Sequence, residues 1–266
     1  MTRRLFVAAI APSIVRAQTI QEKGRKIIGE SIAAMGGSKF LGMTDRVESG
    51  RAYSYYRDRL SALSVARFQT FYDDAATGIR QRDKQLFGKK DKEDFYVIFD
   101  GQGKAWEVGV RGAKPMPEET VQQWQESVLR NPMYILRCRT EEPGMIFERR
   151  GLEVFDNQPV EIVDVTDADN RSVAIYINAT TKLPIRGYFK KQNAKDKGWD
   201  EQDTRWSKYR ETQGVMCPWV MTRSRNGERN IEIYAEEVRI NTGLSNADFK
   251  LGGGIAIDAP KSRRKP

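Results

Sequence analysis

The sequence predicts a mainly β (α+β) protein, with a single curved antiparallel sheet of about eleven strands and two helical segments packed on it. Seven short stretches rich in β-branched and aromatic residues follow Pro143-Gly144, separated by short turns, which is typical of an antiparallel meander. Apolar residues at helical spacing occur near residues 20–35 and 121–137. A sheet of this size must curl or close. Its concave face then needs a cover, and the two helical segments are available to form it.

The first predicted helix begins near Ile20 and ends at Gly36-Gly37, since glycine commonly ends helices. Apolar and small residues at helical spacing mark one face: Ile20, Gly24, Ile27, Ile28, Ile32 and Met35. Gly24 and Gly29 each weaken the helix by about 1 kcal/mol relative to alanine. The helix therefore depends on the surface against which it packs.

Four or five strands are predicted next, at 46–56, 61–72, 78–87, 95–99 and 104–110, with a hairpin turn at 100–103. The pattern then changes. Pro117 begins a helical insertion, in which four apolar side chains follow at helical spacing: Val121, Trp124, Val128 and Leu129. Asn131-Pro132 interrupts this helix, and residues 133–137 form a short second one.

The seven strands of the second half are predicted at 145–155, 158–166, 172–177, 183–190, 204–210, 219–225 and 230–240. Side chains alternate between the two faces of a strand. Alternation assigns six apolar side chains to one face of the sheet: Val173, Ile175, Ile177, Leu183, Ile185 and Phe189. We expect that face to be the concave one, covered by the helical segments.

Residues 1–17 have the pattern of an export signal. Arg3-Arg4 precedes an apolar run that is too short to cross a bilayer, and Ala17 supplies the small residue before cleavage. The segment 2–7 also resembles the twin-arginine motif, so the twin-arginine and general secretory routes both remain open. We expect a mature protein that begins at Gln18 and is soluble in the periplasm.

The net charge of +9 is concentrated at the two ends of the chain. The predicted signal contributes +3, and the tail 252–266 also contributes +3, because Lys261, Arg263, Arg264 and Lys265 outweigh Asp258. The remainder mixes cationic and acidic residues throughout, unlike the clustered basic face of a nucleic-acid-binding protein. We therefore expect no nucleic-acid partner. The glycine-rich, basic tail is predicted to be disordered.

The absence of histidine excludes several kinds of active site. Serine and cysteine triads, histidine-ligated zinc and histidine-ligated haem all require that residue. Asp164, Asp167 and Asp169 are the candidate carboxylates, and their surroundings predict a solvated hairpin turn instead. Cys138 and Cys217 are interpreted as incidental, partly buried thiols. We expect neither enzymatic activity nor a metal or cofactor.

Three motifs resemble one known family. The first is the strand pair 159–167 and 173–178 followed by Thr181-Lys182-Leu183-Pro184, the second is the hairpin 208–218, and the third is the closing segment 240–251. Together they resemble the LolA/LolB-like superfamily of outer-membrane lipoprotein-sorting carriers, over roughly residues 18–251. The resemblance implies an unclosed half-barrel whose concave face, lidded by helices, holds acyl chains.

The sequence therefore leads to a functional expectation and one alternative. The expected function is a monomeric, non-enzymatic carrier of lipid, lipoprotein acyl chains or another apolar ligand, which meets a membrane complex of the envelope. The alternative is a structural or interaction module with the same sheet, a filled core and no ligand. The lid side chains expected to contact ligand are Ile27, Ile28, Ile32, Trp124, Val128 and Leu129, facing the six sheet residues named above.

Overall fold

A computed structural model describes residues 18–89, 92–192 and 198–252. The predicted signal segment, with Ala17 at its end, and the tail from residue 253 onward lie outside the described residues. Gln18 is the first residue described and is exposed. None of the helices within the described ranges is both long and apolar enough to span a bilayer.

Fifteen strands account for most of the described chain. Their bounds are β1 (Asp45–Tyr56), β2 (Arg59–Tyr72), β3 (Gln81–Lys89), β4 (Lys92–Phe99), β5 (Ala105–Gly109), β6 (Gly112–Pro115), β7 (Ile146–Phe155), β8 (Gln158–Thr166), β9 (Ser172–Asn178), β10 (Pro184–Gln192), β11 (Trp199–Ser207), β12 (Arg210–Thr212), β13 (Val215–Cys217), β14 (Val220–Arg225) and β15 (Glu228–Ile240).

Thirteen of these strands form one antiparallel sheet in the order β6-β5-β4-β3-β2-β1-β15-β14-β11-β10-β9-β8-β7. Among the described strands the two edges, β6 and β7, do not pair, so the sheet is an unclosed half-barrel, as the sequence predicted. The sheet has thirteen strands where about eleven were expected. The short, polar β6 carries no apolar pattern, and only its backbone pairing with β5 defines it.

The hairpin predicted within 208–218 forms a separate two-stranded sheet of β12 and β13. Its turn residues Gln213 and Gly214 both have positive φ, which matches a type I′ hairpin turn. The predicted turns at Asp156-Asn157 and Asn226-Gly227 are confirmed with the same backbone signature. The predicted strand 204–210 is wrong at both ends, because β11 starts at Trp199 and Arg210 belongs to the hairpin.

Four α-helical segments, a π-helix and a 3₁₀-helix complete the fold. They are α1 (Ile20–Met35), α2 (Ser38–Leu41), α3 (Glu118–Leu129), α4 (Pro132–Tyr134), the π-helix Ile135–Arg139 and the 3₁₀-helix Asn246–Phe249. α3, α4 and the π-helix connect β6 to β7, the opposite edges of the sheet. A chain that joins both edges of a curved sheet has to pass across one face, so the insertion covers the concave side.

α1 begins with a capping box between Thr19 and Glu22, ends at Gly36 with φ of 125°, and packs mainly on β7. Its contact with the sheet is unusually close at one point. A Cβ atom on Gly24 would lie 2.3 Å from the carbonyl oxygen of Phe147 in β7. Gly24 therefore weakens the helix in isolation but permits this close packing.

Gly24→Ala is expected to lower the free energy of unfolding by about 1–3 kcal/mol, because the added methyl group overlaps the β7 backbone. Gly29 in the same helix is exposed, and a Cβ atom there meets nothing within 4 Å. Gly29→Ala is therefore expected to raise the free energy of unfolding by about 1 kcal/mol. Urea unfolding of both variants checks this. A stabilised Gly24→Ala protein would contradict the close packing of α1 on β7.

Candidate functional site

Two adjoining cavities lie between the inserted helices and the concave face. The larger has a volume of about 360 Å³ and lies between α3 and strands that include β3, β10, β11 and β14. The smaller, of about 200 Å³, lies deeper, against β1, β2, β14 and β15. Four residues line both cavities: Gln85, Asn131, Trp206 and Arg223. We call the two together the concave cavity.

The curvature of the sheet brings distant strands to this cavity. Gln85 of β3 and Thr204 of β11 line the same larger cavity, although four strands separate β3 from β11 in the sheet. In a flat sheet, five successive strand spacings would hold them roughly 24 Å apart. The sequences of the individual strands therefore could not show that β3 and β11 line the same cavity.

Trp124 links α3, which covers the cavity, to two strands of the sheet. Its indole ring stacks on Phe99 of β4, with ring centroids 4.9 Å apart and planes 8° from parallel. Its Nε1 donates a hydrogen bond of 2.8 Å to Oδ2 of Asp83 in β3. Val121, one helical turn earlier, is buried against Phe99 and Ala105. Trp124 thus joins α3 to the sheet by one apolar contact and one polar contact.

Asp83 is a buried carboxylate, 9 % exposed, on the cavity floor. Besides Trp124, it accepts hydrogen bonds from Gln81 Nε2, at 2.8 and 3.0 Å, and from Thr70 Oγ1, at 2.9 Å. Burial raises the pKa of Asp83 above its ordinary value, and the hydrogen bonds and the charge of Arg223 only partly offset that effect. The carboxyl group therefore has all its close partners within the protein.

Two buried arginines fix the π-helix behind the cavity. Arg137 donates to both carboxylate oxygens of Asp74, at 3.1 and 2.8 Å, and to the carbonyl oxygen of Met43. Arg139 donates to Asp167 at 3.0 Å, to Glu142 at 2.7 Å and to the carbonyl oxygen of Leu129. These bonds join the π-helix to Asp74 and Asp167 and to the end of α3.

The insertion also approaches β10 closely. A Cβ atom on Gly187 would lie 2.7 Å from Cγ of Pro132, the first residue of α4. Glycine within a strand often marks such an approach of another chain segment. Gly187 and Pro132 both line the larger cavity, so this contact forms one of its walls.

Cationic side chains outnumber carboxylates around the cavity. The six cations are Arg46, Lys84, Arg130, Lys191, Arg223 and Arg225, and the four carboxylates are Glu48, Asp83, Glu126 and Asp200. Three arginines form ion pairs: Arg46 with Glu48, Arg130 with Glu126 and Arg225 with Asp200. Arg223 is different, because its guanidinium forms neither a hydrogen bond nor an ion pair with any residue in the described ranges.

The structure places eleven of the twelve predicted lid and sheet residues in contact with one core cluster. Seven of them are buried in it: Ile27, Ile28, Val128, Val173, Ile175, Ile177 and Leu183. Ile32, Trp124, Leu129 and Phe189 are partly buried against it. Only Trp124 and Phe189 of the twelve line the concave cavity. The contact between α1 and the sheet is filled, and the open space lies under α3.

Ile185 lies on the opposite face, which corrects the predicted alternation. It packs with Tyr176, Tyr188 and Phe155 in a second cluster. The register between β10 and β9 shifts between Pro184 and Arg186, so one residue is inserted at Ile185. The inserted residue puts Ile185 out of phase with Phe189, so Ile185 faces away from the concave side while Phe189 faces it. Leu183 precedes β10, so strand alternation does not govern it, and it is buried in the main cluster.

The candidate carboxylates of the 164–171 turn have structural partners. Asp167 accepts hydrogen bonds from the backbone of Asp169 and Arg171, as expected of a turn, but it is 5 % exposed, not solvated. Burial acts to raise the pKa of Asp167, and the hydrogen bonds from Arg171 and Arg139 outweigh burial and lower it. Asp164 and Asp169 form ion pairs with Arg150 and Arg171.

The two cysteines are free and buried. Burial raises the pKa of the Cys138 thiol to about 11 and also raises that of Cys217. Both are therefore protonated near neutral pH and weakly nucleophilic. Across the described ranges, no group of three or more cysteine, aspartate or glutamate side chains is placed to hold a metal ion.

Sequence reasoning missed Asp83, Gln85, Trp206 and Arg223. One available signal was alternation in β14, which places Arg223 on the same face as the apolar Met221. An arginine in line with an inward-facing apolar residue is a candidate for a buried role. Asp83 offers no such signal, because its neighbours Arg82 and Lys84 are typical of a solvent-facing strand.

Comparison with solved structures identifies the fold. A DUF1329 family protein from Desulfovibrio piger matches with a TM-score of 0.61 and 12 % identity, over 88 % of this chain and 98 % of that one. A domain from Vibrio parahaemolyticus, assigned to outer-membrane lipoprotein sorting, matches with a TM-score of 0.58 and 14 % identity, over 86 % and 97 % of the two chains. A LolA superfamily protein from Nitrosomonas europaea matches with a TM-score of 0.51 and 10 % identity, over 85 % and 97 %.

No protein-family model matches the sequence, and a search of curated proteins gives no match. The chain therefore shares the LolA-like fold of these solved structures, and the resemblance predicted from three sequence motifs is confirmed at the level of the fold. Between 97 % and 98 % of each solved chain is covered.

Proposed function

We propose that the protein is an exported, non-enzymatic carrier that binds lipid, lipoprotein acyl chains or another ligand with an apolar part in the concave cavity. The observation that carries the proposal is the cavity of about 360 Å³ held open between α3 and the sheet. That volume falls within the range of small-molecule sites. The fold shared with lipoprotein-sorting and LolA superfamily structures supports the same assignment.

The chemistry of the cavity supports binding over catalysis. Its carboxylates Glu48, Glu126 and Asp200 form ion pairs with arginines, and Asp83 accepts hydrogen bonds from three neighbouring side chains. General acid–base catalysis requires a group that is within reach of substrate and free to exchange a proton. The chain also contains no histidine. We therefore assign the cavity a binding role without a cofactor.

The export pattern of residues 1–17 supports a periplasmic location. A monomer that picks up its ligand from, or delivers it to, a membrane complex of the envelope fits both this location and the cavity. In this proposal α3 is the movable part of the cover. Trp124 joins it to the strands by one hydrogen bond and one stacked pair, while Val128 and Leu129 at its end pack against the main core cluster.

Uptake of a dansyl-labelled fatty acid by the delipidated mature chain tests the proposal. We expect saturable binding with one ligand per chain. Energy transfer to the dansyl group from Trp124 and Trp206, which line the cavity, measures this binding. Thr204→Trp places a large side chain in the cavity and is expected to weaken binding by about 10-fold or more.

Ser224→Trp is the matched control. Ser224 lies on the neighbouring β14 and faces the opposite side of the sheet, away from the concave cavity. It introduces the same side chain and is expected to leave the affinity unchanged. If the parent protein takes up no ligand, the carrier is wrong and the alternative remains: a structural or interaction module of the envelope. The filled contact between α1 and the sheet is the observation that favours that alternative.

A further inference from the structure

The polar lining of the cavity does not fit a purely apolar cargo. Its arginines, carboxylates and amides would remain unsatisfied against a hydrocarbon, which is costly. A continuous apolar wall exists only in the smaller cavity, where Phe68, Met221, Ile231 and Ile233 belong to one cluster. The lining is therefore divided into a polar part and an apolar part. A ligand that matches both parts is itself amphiphilic.

Arg223 of β14 lies where these two parts meet, because it lines both cavities. Its guanidinium has no hydrogen bond or ion pair within the described part of the chain. Burial lowers the pKa of Arg223, which means that removal from water disfavours its charged form. An arginine has five N–H donors in a planar fork that matches a carboxylate or a phosphate.

Asp83 does not supply the missing partner. Its charge acts on Arg223 at a distance, but its two oxygens accept hydrogen bonds from Gln81, Thr70 and Trp124. The other cavity arginines with carboxylate partners are Arg46, Arg130 and Arg225. Arg223 is thus the cavity arginine without a carboxylate partner among the described residues, and its guanidinium donors are still available to a ligand.

We propose that the concave cavity selects amphiphiles with an anionic head group, which Arg223 binds while the chain lies along the Phe68–Met221–Ile231–Ile233 wall. This inference rests on the proposed carrier function and names its ligand class. A carboxylate and a phosphate present the same oxygen pair to the guanidinium, so free fatty acids and phosphate-bearing lipids share this chemistry. Charge-assisted hydrogen bonds are stronger than neutral ones.

Calorimetric titration of the delipidated mature chain with three ligands of equal chain length tests the inference. The ligands are dodecanoate, dodecyl phosphate and neutral dodecanol, each below its micelle concentration. We expect the stronger anionic ligand to bind about 10- to 100-fold more tightly than dodecanol, the range of a charge-assisted hydrogen bond. The preference between dodecanoate and dodecyl phosphate separates a fatty acid from a phosphate-bearing lipid.

Arg223→Met is expected to reduce anion binding to the level of dodecanol while leaving dodecanol binding unchanged. Arg223→Lys keeps the charge without the planar fork and is expected to retain part of the preference. Arg205→Met is the matched control, because Arg205 lies on the neighbouring β11, contacts Phe155 on the opposite face and carries the same charge.

Equal affinity of the parent for all three ligands would overturn the head-group inference and leave the carrier intact. Failure to bind any of them would overturn the carrier itself. An unchanged anion preference in Arg223→Met would exclude Arg223 as the head-group ligand. If Arg223→Met does not fold, the three-ligand comparison on the parent and the Arg223→Lys protein still decides the question.

Discussion

Replacing Ile28 with alanine is expected to lower the free energy of unfolding by about 2–5 kcal/mol, the cost of deleting a well-packed isoleucine side chain. Ile28 is 3 % exposed and lies in the main core cluster with Val163 and Ile175 of the sheet. The space that it fills cannot close, because the close contact of Gly24 with β7 fixes the position of α1. Urea unfolding followed by circular dichroism measures the loss.

Ile20→Ala is the matched control, since Ile20 belongs to the same helix and is 58 % exposed. It is expected to change the free energy of unfolding by less than about 0.5 kcal/mol. Uptake of the dansyl-labelled fatty acid by folded Ile28→Ala protein is expected to match the parent, because Ile28 does not line the cavity. A small stability loss combined with weakened uptake would instead identify α1 as a movable lid, as the sequence had suggested.

Arg139→Met is expected to cost about 1–3 kcal/mol, because Asp167 loses one charged partner in a buried position while Arg171 remains. Arg139 and Asp167 are 6 % and 5 % exposed, and the guanidinium also bonds the carbonyl oxygen of Leu129 at the end of α3. Methionine keeps most of the packed volume of the arginine, so the change in the free energy of unfolding reports the loss of the polar contacts. Arg150→Met, at a half-exposed pair with Asp164, is expected to cost about 0–1 kcal/mol.

The Arg139–Asp167 pair also predicts how the stability of the fold changes with pH. The pKa of Asp167 is lowered in the folded protein from its ordinary value of 3.8. Its ion pairs therefore stabilise the fold fully above the unfolded pKa, and this contribution is lost as the pH falls through the folded pKa. Below about pH 4 the parent is expected to lose more stability per pH unit than Arg139→Met. Parallel stability curves for the two proteins would rule out this role of Arg139.

Much of the fold could be predicted because it depends on local patterns. The strand alternation of Val173, Ile175 and Ile177 is confirmed by their burial in one cluster. The helix from Ile20 to the Gly36 cap, the turn at Asp100 and the insertion that starts after Pro117 follow from capping and turn chemistry. In each case the determining residues are neighbours in the chain, so the sequence contains the complete signal.

The candidate site could be predicted only in part, because it is formed by residues from distant strands. Trp124 and Phe189 were found through their apolar spacing. Asp83 and Arg223 are charged residues in strands, a pattern that is ordinarily typical of a solvent-facing position. The packing of α3 over the curved sheet buries Asp83 and leaves Arg223 half-buried. The bulge at Ile185 also has no sequence signature, since it is defined by the register with β9.

The sequence by itself determined the class of the fold, the order of its elements and the absence of histidine chemistry. Each of these follows from composition or from interactions within a few residues. The tertiary structure alone decided that β1 pairs with β15, that β6 and β7 become the edges, and that the insertion crosses between them. It also decided that α1 fills its part of the concave face while α3 leaves a polar cavity, in which Arg223 has no ion pair with another described residue. The physical reason is that curvature and burial depend on pairings between distant segments, and the local sequence does not encode those pairings.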